Sequence, residues 1–114
     1  MIELFKKRYT HDYKCSHFFV DAANKLHGKD LSKIMEGFLY PKKKSNQNIR
    51  HDFKLIDKPE EPCMVMFHGK QPADPHVGLY IDGGVLHLTA LGVFHQSLEV
   101  ASIGFQSVRF YKWN

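Results

Sequence analysis

A chain of 114 residues can build one core but not two, so residues 1–114 are read as a single domain. Its 43% hydrophobic and 25% charged content is that of a globular protein, and no apolar run reaches the about 20 residues of a membrane-spanning helix. The formal charge of +4 owes much to Lys42, Lys43, Lys44 and Arg50, a run without interleaved aromatic residues that reads as a solvated loop rather than a nucleic-acid patch.

Met1-Ile2-Glu3-Leu4-Phe5-Lys6-Lys7-Arg8 is charged and lacks the apolar core of a signal peptide, so synthesis in the cytoplasm without a cleaved leader is expected. Tyr9, His11 and Tyr13 then lead into a change of period. Cys15, Phe18, Phe19, Ala22, Ala23 and Leu26 recur at helical spacing and form one apolar stripe. Gly28 is the natural C-terminal cap. A second helix is expected from Asp30 as cap through Leu31, Ile34, Met35 and Phe38, stopped by Pro41. Positions 41–51 are polar and read as an exposed loop.

Strand signals follow. Phe53-Lys54-Leu55-Ile56 is a weak one and Cys63-Met64-Val65-Met66-Phe67 a stronger one. Pro75 to Thr89 reads as two strands around the two-residue turn Asp82-Gly83. Ser97 is placed to cap a short helix from Leu98 to Ile103, and Ser107 to Trp113 forms the last strand. Helices first and consecutive strands after them give an α+β domain with an antiparallel sheet.

The turn fixes a register that matters chemically. With Asp82 and Gly83 as the loop, Ile81 faces Gly84, Leu79 faces Leu86 and Gly78 faces His87. His76, Gly78 and Tyr80 then share a face with Val85, His87 and Thr89. Two histidines lie diagonally on one face, and Gly78 leaves room between them for an imidazole. One ring can act as base while the other orients it.

The candidate nucleophile is Cys15, in the first turn of the first helix. A helix N-terminus favours thiolate over thiol, and its amides can receive the oxyanion of a tetrahedral intermediate. Brought to His76, with His87 behind, it makes the Cys-His-His arrangement of an acyl-transfer enzyme. The competing reading of these residues is a small buried thiol and ordinary strand histidines.

Tyr13-Lys14-Cys15-Ser16-His17-Phe18-Phe19-Val20 resembles the Asp-Cys-Ser-Gly-Phe-Val helix start of NlpC-type cysteine peptidases. His76-Val77-Gly78-Leu79-Tyr80-Ile81 through His87 is similar to their His-Val-Gly-Ile-Tyr hairpin with its polar third residue. Glu61-Pro62-Cys63-Met64-Val65-Met66-Phe67 stands where they carry Pro-Gly-Asp-Leu-Val-Phe. The blocks span residues 13 to 89 in the family's order. The final Val108-Arg109-Phe110-Tyr111 resembles the compact version found in bacteriophage tails.

The resemblance implies a papain-like fold, with N-terminal helices packed on an antiparallel β-sheet. It implies a thiol peptidase or amidase with Cys15, His76 and His87 as catalytic residues and no cofactor. The substrate would be a peptidoglycan stem peptide, cut near a D-glutamyl–diaminopimelate bond during DNA entry or tail assembly. The location would be the virion tail, with other tail-tip proteins as partners and neither nucleic acid nor a membrane span involved. Two other functions stay open: a structural tail-tip component with the same fold, and another acyl transfer such as transferase or deamidase chemistry.

The sequence departs from the family at the substrate contacts. Lys14 stands where an Asp often precedes the cysteine, His17 replaces a small residue, and Cys63-Met64 replaces Gly-Asp. Lys14, Ser16, His17 and Tyr13 are therefore the candidate substrate-binding residues. His17 points about 200° around the helix from Cys15 and suits a packing or rim position. Tyr9 and Tyr13 are equal candidates for the phenol that the resemblance places at the oxyanion site. Cys63 reads as a core residue. His68, His76 and His87 lack the spacing and the acidic ligands of a zinc site, so no metal is expected, and with two cysteines and no Cys-x-x-Cys the thiols are expected to be reduced.

Overall fold

The computed structural model describes residues 2–36, 53–69 and 75–113. A short helix, α1 (Ile2–Phe5), leads through a tight turn, in which Thr10 and Tyr13 exchange backbone hydrogen bonds of 2.9 and 3.3 Å, into α2 (Cys15–His27). The apolar stripe of α2 is fully buried at Phe18, Phe19, Ala22 and Ala23. Gly28 closes the helix, its N–H bonding the Asn24 carbonyl at 2.9 Å.

Asp30 acts as the expected cap, its carboxylate accepting from the Ser32 N–H at 2.9 Å. Leu31 and Met35 are buried and joined by a 2.9 Å backbone bond. Residues 32–35 form a turn and residue 36 is helical, and the rest of the expected helix lies outside the described residues. Phe38, the Pro41 stop and the Lys42–Lys44 run lie outside the described residues.

Six strands make one antiparallel sheet: β1 (Phe53–Ile56), β2 (Cys63–His68), β3 (His76–Ile81), β4 (Gly84–Thr89), β5 (Gly92–Gln96) and β6 (Ser107–Trp113), with a short helix α3 (Leu98–Ala101) before β6. The spatial order is β1-β6-β2-β3-β4-β5. Ser97 caps α3 through its hydroxyl, which accepts from the Val100 N–H, and the helix ends at Ala101 rather than Ile103. Strand β5 has no counterpart among the expected elements. It returns from β4 through a turn in which the Thr89 hydroxyl bonds the Gly92 carbonyl at 2.9 Å.

Alternation divides the core in two. Met64, Met66, Val77, Leu79, Leu86 and Leu88 face α2 and pack with Phe18, Phe19, Ala22 and Ala23. Val65, Phe67 and Val85 face the other way, toward Ala101 and Leu98 of α3. Strand β2 is buried from Cys63 to Phe67 because both of its faces are covered, which explains its unbroken apolar run. The result is an α+β unit with one six-stranded antiparallel sheet. No helix among the described residues is long and apolar enough to cross a membrane.

Candidate active site

The hairpin adopts the register its turn demands: Leu79 pairs with Leu86, Tyr80 with Val85 and Ile81 with Gly84. Asp82 and Gly83 both take positive φ, 51° and 72°, as a tight two-residue hairpin turn requires. Gly78 is needed for space. A Cβ there would stand 2.6 Å from Val85 Cγ1 and 3.0 Å from His87 Cβ. Its absence lets the two imidazoles meet.

His76 Nε2 lies 2.7 Å from His87 Nδ1, with ring centroids 5.0 Å apart at 65°. The other nitrogen of His87, Nε2, lies 2.8 Å from Gln96 Oε1. Three strands thus contribute one hydrogen-bonded chain, His76–His87–Gln96. Aromatic rings enclose it. Phe105 stacks on His76 at 5.6 Å and 10°, and Phe67 contacts both imidazoles at 5.4 and 6.3 Å. His87 is 3% exposed.

This enclosure sets the electrostatics. Burial, and secondly the neighbouring His87, push the pKa of His76 down to about 4. Burial also lowers His87, and its bond to Gln96 partly opposes this. Both rings are held neutral at pH 7, so His76 does not stand as a resting imidazolium, and the same burial weakens it as a base.

Gln96 was not among the expected site residues. The signal that could have found it is the hairpin from β4 to β5. His87 pairs with Phe94, which puts Gln96 on the same face one diagonal step away. The run Gly92-Val93-Phe94-His95-Gln96 carries too little apolar alternation to announce a strand.

Cys15 is the first residue of α2, half-buried against the α2-side core. The far end of α2 contacts Trp113, with the His27 ring at 6.5 Å. Trp113 lies two residues beyond Tyr111, the partner of Met64, and therefore near the Tyr80–Ile81 end of β3. Phe19, one turn after Cys15, contacts the same Trp113 ring at 6.1 Å. Cys15 and the histidines lie on different faces of the sheet. Val77 and Leu79 point to α2, whereas His76 and His87 share the face of Phe67 and Val85. Among the described residues no hydrogen bond joins Cys15 to either histidine. The structure brings the two histidines together and leaves Cys15 packed against the α2-side core, on the other face of the sheet.

The remaining candidates surround the start of α2. His17 Nδ1 accepts the Lys14 backbone N–H at 3.1 Å, so His17 caps the helix from its third position. Burial is the main cause that lowers its pKa. The Tyr13 hydroxyl donates to the Asp21 carboxylate, and burial together with that carboxylate raises the phenol's pKa. Lys7 stands over the Tyr13 ring, 5.2 Å from its centroid. Tyr9 is 47% exposed. Ser16 is buried and Lys14 half-buried. Cys63 is fully buried in β2, and burial raises its pKa. No group of three or more histidine, cysteine, aspartate or glutamate side chains is placed to hold a metal ion among the described residues. Comparisons of this chain with protein-family models, curated proteins and solved structures give no match.

Proposed function

We propose that the protein is a thiol peptidase or amidase with a papain-like arrangement, acting on peptidoglycan stem peptides as the compact phage-tail enzymes do. The observation that carries this reading is the hydrogen-bonded His76–His87–Gln96 chain, in a domain whose α2 begins at Cys15. His76 Nε2 is engaged by His87, so its Nδ1 is the nitrogen that can serve the thiol. Cys15 Sγ attacks the amide carbonyl as Nδ1 takes the thiol proton. The tetrahedral oxyanion is received by amides of the first turn of α2. The proton passes from Nδ1 to the leaving amine, and water then releases the acyl group from the sulfur with the same base.

Because both rings are neutral, His76 acts as general base from a resting thiol–imidazole pair. The reaction requires Cys15 and His76 to meet across a bound acyl group. The test is thiol alkylation with iodoacetamide together with chromatography of digested muropeptides. Cys15→Ala is expected to abolish cleavage and Cys63→Ala to preserve it.

A second reading is favoured by one observation, the lack of a Cys15–histidine hydrogen bond. In it the domain is a structural tail-tip component in which the histidine chain only braces the sheet. Cys15 and Cys63 would then differ in alkylation solely through exposure, and His76→Ala would leave the Cys15 rate unchanged.

A further inference from the structure

We infer that Gln96 is a positioning residue whose side-chain carbonyl dictates the tautomers of both histidines and thereby leaves the Nδ1 lone pair of His76 open. The inference uses the peptidase reading only for its catalytic consequence; the proton order follows from the hydrogen-bond chain. Gln96 Oε1 can only accept, so His87 Nε2 at 2.8 Å must carry a proton. A neutral His87 protonated at Nε2 has a bare Nδ1. That Nδ1 lies 2.7 Å from His76 Nε2, which must therefore be the donor. A neutral His76 protonated at Nε2 has a bare Nδ1, the form a base requires.

The identity of the acceptor matters. A carboxylate at position 96 would stabilise a doubly protonated His87. Such a ring donates from both nitrogens, so His76 Nε2 would have to accept and the His76 proton would move to Nδ1. The base would be blocked. A neutral amide orients the chain without charging it, and the aromatic enclosure of Phe67 and Phe105 provides no competing acceptor. Among the described residues, the side chains recorded against His87 are His76 from β3, Phe67 from β2, and Phe94 and Gln96 from β5, with no carboxylate among them.

Long-range nitrogen–proton correlation spectra of the full chain at pH 7 read each ring nitrogen as protonated or bare. The expected wild-type result is protonated Nε2 and bare Nδ1 on both His76 and His87. In Gln96→Leu the proton of each ring should distribute over both nitrogens. In Gln96→Glu, His87 should be doubly protonated and His76 should carry its proton at Nδ1, with Cys15 alkylation at least tenfold slower. A wild-type His87 with bare Nε2 overturns the inference without any variant having to fold, and so does a Gln96→Glu chain with unchanged rings. If the tautomers move as stated while Cys15 alkylation does not, the tautomer order stands and the partnership of Cys15 with His76 fails.

Discussion

Cys15 and Cys63 set up the most local comparison. Cys15 is half-buried at a helix start, whereas Cys63 is fully buried in β2 with its pKa raised by burial. Iodoacetamide at neutral pH is expected to modify Cys15 at least tenfold faster, and His76→Ala is expected to reduce that rate; equal rates for the two thiols would contradict an activated nucleophile. Lys14, beside the proposed nucleophile, gives a second prediction. A lysine there repels a substrate's free amine by roughly 1 kcal/mol or more when the pair is shielded from water. Wild type should therefore prefer glycan-linked stem peptides over those with a free N-terminal L-Ala. Lys14→Asp should shift the preference toward the free amine while leaving Cys15 alkylation nearly unchanged, as chromatography of the products would show. Residue types alone pointed to the two histidines, because a two-residue turn fixes which side chains share a face. They did not reveal that the Tyr13 phenol is committed to Asp21 or that His17 caps α2, since those roles depend on which way a side chain turns at the helix start.

Elements with a strong period were legible. The stripe of α2, the β3–β4 register and the Ser97 cap of α3 are each written in spacing and turn chemistry. Strand β5 was not, because its partner-facing atoms are backbone and its side chains are mixed, so pairing with β4 rather than local pattern makes it a strand. Gln96 was hidden with it. The sheet face presented to α2 was also not legible, since helix and strand periods say which residues are apolar but not which apolar face meets which. Both β3 faces are covered here, and the histidines fall on the α3 side. The hairpin yields a test of its own. Gly78→Ala places a methyl group within 2.6 Å of Val85 Cγ1 and 3.0 Å of His87 Cβ. It should cost about 1–3 kcal/mol and spread the two imidazoles apart, seen as a lower denaturation midpoint and a lost His76–His87 hydrogen bond. Phe18→Ala should cost more, about 3–5 kcal/mol, yet leave the tautomers of a folded chain unchanged because Phe18 packs on the opposite face.

For the whole molecule, burying two neutral imidazoles couples folding to pH. The His76 pKa falls from 6.5 to about 4 on folding, so the unfolded chain binds more protons between those values. Stability from this group is complete above pH 6.5 and is lost as pH falls toward 4, a change of about 3 kcal/mol for His76. Urea unfolding at pH 7 and pH 4.5 should show this loss, and His76→Gln should flatten it; a wild-type midpoint independent of pH across that interval would contradict the buried neutral pair. The central claim, that this sheet and helix assemble a thiol hydrolase, is tested most directly by incubating the intact chain with purified muropeptides and separating the products. The account predicts new stem-peptide fragments from wild type and Cys63→Ala and none from Cys15→Ala or His76→Ala. Fragments that persist in Cys15→Ala, or none from wild type while Cys15 alkylates no faster than Cys63, would contradict it.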